Sequence, residues 1–156
     1  MQQIWKLLAL INHPIRNCIL AVTSAVMLAS CGGGGVPHWI GTKQLGVAGH
    51  DTFGSFVAID ASGNVYVAGF TDGGLDGNTL TGTRDAFVTK YDSSGVKQYT
   101  RQLGVAGQYT VGISVATDAN GNVYVAGSTF GGLDGNTLIG TRDFFVTKYD
   151  SSGVKQ

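Results

Sequence analysis

The 156-residue sequence contains no glutamate, only two cysteines and few charged residues, which make up 13% of the chain. Without glutamate the chain cannot build an EF-hand calcium loop, because the last position of that loop needs a bidentate glutamate. Basic and acidic residues balance to a formal net charge of +0, and the basic residues form no cluster. The sequence therefore lacks the basic surface that nucleic-acid binding needs, and we expect no nucleic-acid partner.

Both cysteines, Cys18 and Cys31, lie in an N-terminal segment that differs in composition from the rest of the chain. Basic residues precede an apolar run at 19–29, and the first acidic residue is Asp51. The run is shorter than the ~20 residues that a helix needs to span a bilayer. A basic start, a short apolar run and small residues are typical of a secretory signal. We therefore predict a signal peptide at 1–30, and we expect no disulfide framework.

The sequence LASC at residues 28–31 resembles the lipobox of bacterial lipoproteins, in which the cysteine is acylated and becomes the new N-terminus. This resemblance implies that Cys31 carries lipid and that the chain is anchored in the bacterial cell envelope, at the outer membrane or cell surface. Residues 31–37 would then be a glycine-rich, flexible linker. The alternatives are an ordinary signal peptide with an incidental cysteine, or an N-terminal membrane anchor.

Residues 45–98 and 103–156 form an ungapped repeat with a constant offset of 58, in which 43 of 54 positions are identical. Segments rich in valine, threonine and aromatic residues favour strands, and turn signals with Gly, Asn and Asp separate them. We predict strands at 55–60, 65–69, 86–91 and 96–104, and again at 113–118, 123–127 and 144–149. The segment VYVAG is apolar or small on both faces, which indicates a sheet covered on both sides, as in a β-propeller blade.

The segments SVATDANGNVYVAGSTFGGLDGN and DAFVTKYDSSGVKQYTRQLG resemble the SBBP-type β-propeller repeat of bacterial surface and secreted proteins. The resemblance covers roughly residues 41–156 and implies an all-β fold of two four-stranded antiparallel blades within a domain at 38–156. The repeat brings no shared catalytic motif. Two units are fewer than the typical four to eight blades of a propeller.

Residues 38–49 align at the same offset with 96–107, which predicts an additional fourth strand ahead of the first unit. The chain then holds strands for two blades, too few to enclose a channel. We expect that homo-oligomerisation completes the ring, for example with three chains and six blades. The alternative is that the sequence is a fragment of a longer propeller protein.

Acidic and amide residues recur in the long loop of each unit and offer oxygen ligands to Ca²⁺. They are Asp76, Asn78 and Asp85, repeated as Asp134, Asn136 and Asp143. The same residue types form turns, and turn formation is the favoured interpretation, so we expect no cofactor, with calcium as the alternative. No motif brings a nucleophile and a base together, and we expect a non-enzymatic protein.

Trp39, Tyr66 and Tyr124 are candidates for stacking against sugars, although such residues more often fill the space between blades. The sequence therefore predicts a membrane-anchored lipoprotein of the cell envelope that serves as a scaffold or interaction module. A carbohydrate-binding propeller assembled from several chains is the alternative. Its ligand, protein or glycan, is not identified by the sequence.

Overall fold

The structure is a computed structural model and describes residues 38–156. The predicted signal peptide at 1–30, the lipidation of Cys31 and the linker at 31–37 lie outside the described residues. Within the described range, no helix is long and apolar enough to cross a membrane.

Seven strands and one turn of 3-10 helix make up the described part of the chain. The first sheet contains β1 (Thr52–Ile59), β2 (Val65–Thr71), β3 (Asp85–Tyr91) and β4 (Lys97–Leu103), and the 3-10 turn is Leu75–Gly77. The second sheet contains β5 (Thr110–Thr117), β6 (Val123–Thr129) and β7 (Asp143–Tyr149). Both sheets are antiparallel meanders, in the orders β1-β2-β3-β4 and β5-β6-β7. The prediction of an all-β fold built from propeller blades is confirmed.

The second sheet has the three strands predicted at 113–118, 123–127 and 144–149, and β7 meets the residues after it only at a bridge between Tyr149 and Lys155. Two other details of the predicted strands differ. Residues 38–46 form no strand, because no neighbouring strand in the described part of the chain lies beside them. The first strand of each sheet begins three residues earlier than predicted, ahead of a register shift between Gly54 and Phe56 in β1.

Aspartate side chains build the hairpin turns. The Asp60 carboxylate accepts hydrogen bonds from the backbone N–H groups of Ser62 and Asn64, both at 2.9 Å, and from the Tyr66 hydroxyl at 2.9 Å. Burial raises the pKa of Asp60, but the hydrogen bonds from Asn64, Tyr66 and Ser62 outweigh it, so the pKa is lowered. Asp118 repeats this turn after β5. The turn therefore needs the aspartate charge, which the hydrogen bonds stabilise.

The turns after β3 and β7 use the same device in the repeated sequence DSSG. Asp92 and Asp150 accept hydrogen bonds from the backbone N–H groups two and four residues further on. Gly95 and Gly153 complete these turns with φ angles of 80° and 83°, a region that favours glycine.

The hydrophobic core lies between the two sheets. One face of the first sheet packs against the opposite face of the second, as adjacent blades of a propeller do. The first sheet contributes Tyr66, Ala68, Ala86, Val88 and Tyr99, and the second contributes Val115, Val123, Val125, Phe145 and Tyr149. Gly112 lets the two backbones approach closely, since a Cβ there would lie 2.6 Å from the Gly69 carbonyl oxygen.

Candidate interaction surface

The outer face of the second sheet is exposed and largely apolar. We call it the open face; its apolar residues are Ala116, Tyr124, Ala126, Phe144 and Val146, which alternation along paired strands places on one side together with Ser114, Ser128 and Lys148. Phe144 is 84% exposed and Val146 is 60% exposed. The equivalent residues of the first sheet, Ala86 and Val88, are 2% and 1% exposed. The same face of the repeat is therefore core in one blade and surface in the other.

A groove of about 720 Å³ runs along the edge of β7 and is continuous with the open face. Its walls include Leu133, Ile139, Asp143, Phe145 and Val146. In the first blade β4 occupies the corresponding edge and pairs with β3 from Ala86↔Leu103 to Tyr91↔Lys97. The groove is thus the place that a fourth strand fills in a complete blade.

Asp85 and its repeat Asp143 show what the second blade lacks. Asp85 is 0% exposed; it accepts hydrogen bonds from the N–H groups of Thr81 and Gly82 and from the side-chain amide of Gln102 at 3.3 Å. Asp143 is only half-buried and keeps the two backbone bonds alone among the described residues. Those bonds lower its pKa. Asp143 therefore holds a charged carboxylate toward a position that glutamine fills in the first blade.

The N–H group of Leu75 and that of its repeat, Leu133, differ between the blades in the same way. It donates to the side-chain oxygen of Gln102 at 2.6 Å, and the Gln102 amide also donates to the Gly73 carbonyl at 3.2 Å. Leu133, the repeat of Leu75, is 6% exposed and shows no such glutamine bond within residues 38–156. A partner that places a hydrogen-bond acceptor here would reproduce the bond that Gln102 makes in the first blade.

The first blade carries the N-terminal segment on its own outer face. Trp39 packs edge-on against Tyr91 with ring centroids 5.6 Å apart, and the Lys43 ammonium lies 5.6 Å from the Trp39 ring centroid. These residues, with Val67 and Phe87, line a shallow groove of about 330 Å³. The second blade thus presents the open face at one end of the two-blade unit, and the first blade presents this groove at the other end.

The three loop residues proposed as calcium ligands are occupied by the protein itself. Asp76 pairs with the Lys97 ammonium, the Asn78 amide donates to the Leu75 carbonyl at 2.7 Å, and Asp85 holds the loop backbone. In the second blade, Asp134, Asn136 and Asp143 repeat these roles; Asp134 pairs with Lys155. Across residues 38–156, no three His, Cys, Asp or Glu side chains are grouped closely enough to hold a metal ion. Calcium binding stays an untested alternative.

The aromatic candidates lie in three different environments. Tyr66 is 0% exposed within the inter-blade core, so its ring presents no face to a ligand, and burial raises its pKa. Trp39 is half-buried against Tyr91. Tyr124 is half-buried on the open face and donates to Asp118 at 3.2 Å. The structure does not bring Trp39, Tyr66 and Tyr124 together at one site.

Sequence reasoning missed Phe144 and Val146 as surface residues, since the repeat suggested that both copies would be covered alike. One signal was available: alanine at position 86 becomes phenylalanine at 144 within an otherwise identical strand. Gln44 was also missed, although it repeats Gln102 at the same offset.

Comparison with known families agrees with this architecture. The family model of the SBBP beta-propeller repeat matches residues 40–76 and 98–134. Over these two segments the chain is similar to SBBP beta-propeller repeats. Each SBBP match begins at the fourth-strand segment, ahead of β1 and within β4 respectively, so residues 40–46 belong to a repeat although they form no strand here.

A curated relative contains a similar segment. The regulatory protein FlaEY of Caulobacter vibrioides is 36% identical to this chain, in an alignment that covers 62% of the chain and 11% of the relative. The chain thus corresponds to a small part of that protein's length.

Proposed function

We propose that this chain is a non-enzymatic interaction module of the bacterial cell envelope that uses the open face of its second blade to dock a partner. The observation that carries the proposal is the exposure of Phe144 and Val146 on a face whose counterpart in the first blade is fully packed. A folded blade with one uncovered apolar face gains free energy by burying it, at about 25 cal/mol per Å² of apolar surface. Contiguous exposed apolar surface of this kind marks interaction sites.

The SBBP repeats support this role, because they supply rigid sheets whose faces are built to pack against other sheets. The name of the relative FlaEY, a regulatory protein, is compatible with a module that acts by binding rather than by chemistry.

The proposal includes anchoring through Cys31. The lipobox-like sequence LASC at 28–31 and the adjoining glycine run support a lipid anchor with a short leash. Labelled palmitate should enter the wild-type chain and fail to enter a Cys31→Ser variant. Equal labelling of the two chains, or no labelling of either, contradicts the anchor without bearing on the docking face.

Docking is tested by a photo-crosslinking amino acid placed at Phe144 in the bacterium that encodes the chain. The control places the same residue at Ile113, which is 54% exposed but lies on β5, at the edge of the second sheet opposite β7. We expect discrete adducts from position 144 and none of the same mass from position 113. Absence of any adduct at 144, with the protein present at normal level, contradicts an interaction role for the open face.

A further inference from the structure

The strand that completes the first blade has a near-copy ahead of β1. Residues 100–104 read TRQLG and end β4, whereas residues 42–46 read TKQLG. The segment at 42–46 has the same threonine, glutamine, leucine and glycine as the segment at 100–104, and lysine in place of arginine. It therefore carries the side chains of a fourth strand, but forms no strand in this structure.

Residues 42–47 lie on the first blade much as residues 100–105 lie on the second. A Cβ at Gly73 would lie 3.0 Å from the Val47 Cβ, and a Cβ at Gly131, its repeat, would lie 3.1 Å from the Val105 Cβ. Val105 is the repeat of Val47. The segment at 42–46 is thus placed as the fourth strand of a blade that would precede the first one.

Within residues 38–156, no fourth strand pairs with β7, and this segment carries the side chains of such a strand. Gln102 bonds Asp85 and the Leu75 N–H in the first blade, and the equivalent positions Asp143 and Leu133 have no glutamine among the described residues. Gln44 is the repeat of Gln102 and is exposed.

We propose, building on the proposed function, that the partner of the open face is a second copy of this chain whose residues 42–46 pair with β7 as its fourth strand. The register of the first blade, moved by the offset of 58, places Leu45 opposite Phe144 and Lys43 opposite Val146. Residues 42–46 lie against the first blade of their own chain. When they pair with β7 of a neighbouring copy, they therefore bring that first blade against the neighbour's open face. The contact is head-to-tail and joins different surfaces, so it generates a ring when the rotation closes.

The glycine of the segment fits this role. Gly104 lies against Asp85 so closely that a Cβ there would overlap the carboxylate, whereas a Cβ at Gly46 would meet nothing within 4 Å in this structure. Gly46 has a φ outside the left-handed region, so its backbone alone does not require glycine. A neighbouring Asp143 would make the absence of a side chain at Gly46 necessary.

The groove over the first blade has room for the Phe144 side chain, which is the one large substitution between the blades on the open face. Phe144 replaces Ala86, and the groove over the first blade, lined by Val65, Val67 and Phe87, has a volume of about 330 Å³. Phe87 repeats as Phe145, which packs in the inter-blade core of the same chain. The junction between copies thus reuses the packing that joins the two blades within a copy.

The test is a disulfide that can form only between copies. Two chains are made on a Cys18→Ser, Cys31→Ser background, which leaves no other cysteine: one carries Lys43→Cys and the other Val146→Cys. Directly opposed residues of an antiparallel pair have Cβ atoms about 4.5–5.5 Å apart, close to the separation that a disulfide needs. The full chains are mixed in mild detergent, oxidised and resolved on a non-reducing gel.

We expect a disulfide-linked dimer in the mixture and none in either chain alone. The matched control mixes Lys43→Cys with Ile113→Cys, whose position lies on β5 at the opposite edge of the second sheet, and no dimer should form there. Absence of a dimer in the test mixture overturns the proposal, and so does a dimer that forms equally well with Ile113→Cys.

A Gly46→Val change in the Lys43→Cys chain separates strand pairing from chance collision. Overpacking of about 1–3 kcal/mol corresponds to an affinity between copies that is weaker by about fivefold or more, and the dimer yield should fall accordingly. An unchanged yield contradicts the proposed pairing. If position 144 crosslinks in cells to another protein while no disulfide forms here, the further inference fails and the proposed function stands.

Discussion

The two blades share 43 of 54 aligned residues and differ sharply in burial. Tyr66, Asp85 and Val88 are 0%, 0% and 1% exposed, but none of their repeats in the second blade, Tyr124, Asp143 and Val146, is buried. The local hairpins and loops are alike in both blades. The difference comes from what stands beside each blade: β4 and the second sheet cover the first, and nothing in the described residues covers the second.

This comparison teaches that a repeat sequence specifies a blade, while its neighbours decide which residues form the core. Units of a repeat protein are stabilised by their interfaces as much as by their interiors. The same substitution made at two positions 58 residues apart therefore measures how much the elements beside a blade contribute to its stability, because the local sequence is nearly the same at both positions.

The largest difference is expected for Val88→Asp against Val146→Asp. Val88 is 1% exposed in the inter-blade core and Val146 is 60% exposed. An unpaired charge in the core should lower the free energy of unfolding by about 3–5 kcal/mol, whereas a surface change should stay within about 0.5 kcal/mol. Urea unfolding at concentrations where the chain is monomeric measures both. Equal losses of stability in the two variants would contradict the assignment of Val88 to the core and Val146 to the surface.

Gly104→Val against Gly46→Val comes next. A side chain at Gly104 collides with the Asp85 carboxylate, which two backbone N–H groups hold in place. Overpacking of this kind should cost about 2–3 kcal/mol. Gly46 has open space around its Cα, so its variant should unfold at the wild-type urea midpoint. A destabilised Gly46→Val chain would show that this segment is already packed within one copy.

Gln102→Ala against Gln44→Ala should give a smaller difference. Loss of Gln102 leaves the Leu75 N–H without its acceptor and removes one donor from Asp85. We expect a loss of about 2 kcal/mol, the cost of an unsatisfied buried group. Gln44→Ala should leave the unfolding of the single chain unchanged and weaken association between copies. Thermal unfolding and sedimentation of the two variants read out the two effects separately.

The hydroxyl pair Tyr66→Phe and Tyr124→Phe should show a difference of about 1 kcal/mol, because a hydrogen bond is worth more where its groups are buried. Tyr66 donates to Asp60 at 2.9 Å and is 0% exposed, while Tyr124 donates to Asp118 at 3.2 Å and is half-buried. Denaturant midpoints of the two variants measure it. A larger loss for Tyr124→Phe would contradict the assignment of core and surface.

Acid should affect both blades alike, since each contains the same aspartate turns. Hydrogen bonds lower the pKa of Asp92, Asp118 and Asp150 below the ordinary value of 3.8, those from Ser94, Asn122 and Ser152 most strongly. A lowered folded-state pKa gives stability that is fully present above that ordinary value and is lost as the pH falls through the lowered pKa. The melting temperature should therefore hold from neutral pH to about pH 5 and decline below about pH 4. A decline that begins near pH 6 would indicate a different titrating group.

Most of the fold could be predicted from the sequence, because strand formers and turn residues repeat in register. The turns at Asp60 and Asp118 were predictable from the local sequence alone, as both partners lie within a few residues. The absence of a strand at 38–46 was not predictable, since a strand requires a neighbouring strand that the local sequence does not specify. The exposure of Phe144 was equally beyond local pattern, because it depends on which sheet stands beside β7.

Hydrogen exchange at the two third strands tests the central claim most directly. Amide protection of β3 and β7 is measured by mass spectrometry in the wild-type chain and in Gly46→Val, at concentrations where the wild type associates. The account predicts that β7 is protected in the wild type and loses that protection in Gly46→Val, whereas β3 is protected equally in both. Identical exchange of β7 in the two chains would contradict the claim that a neighbouring copy completes the second blade.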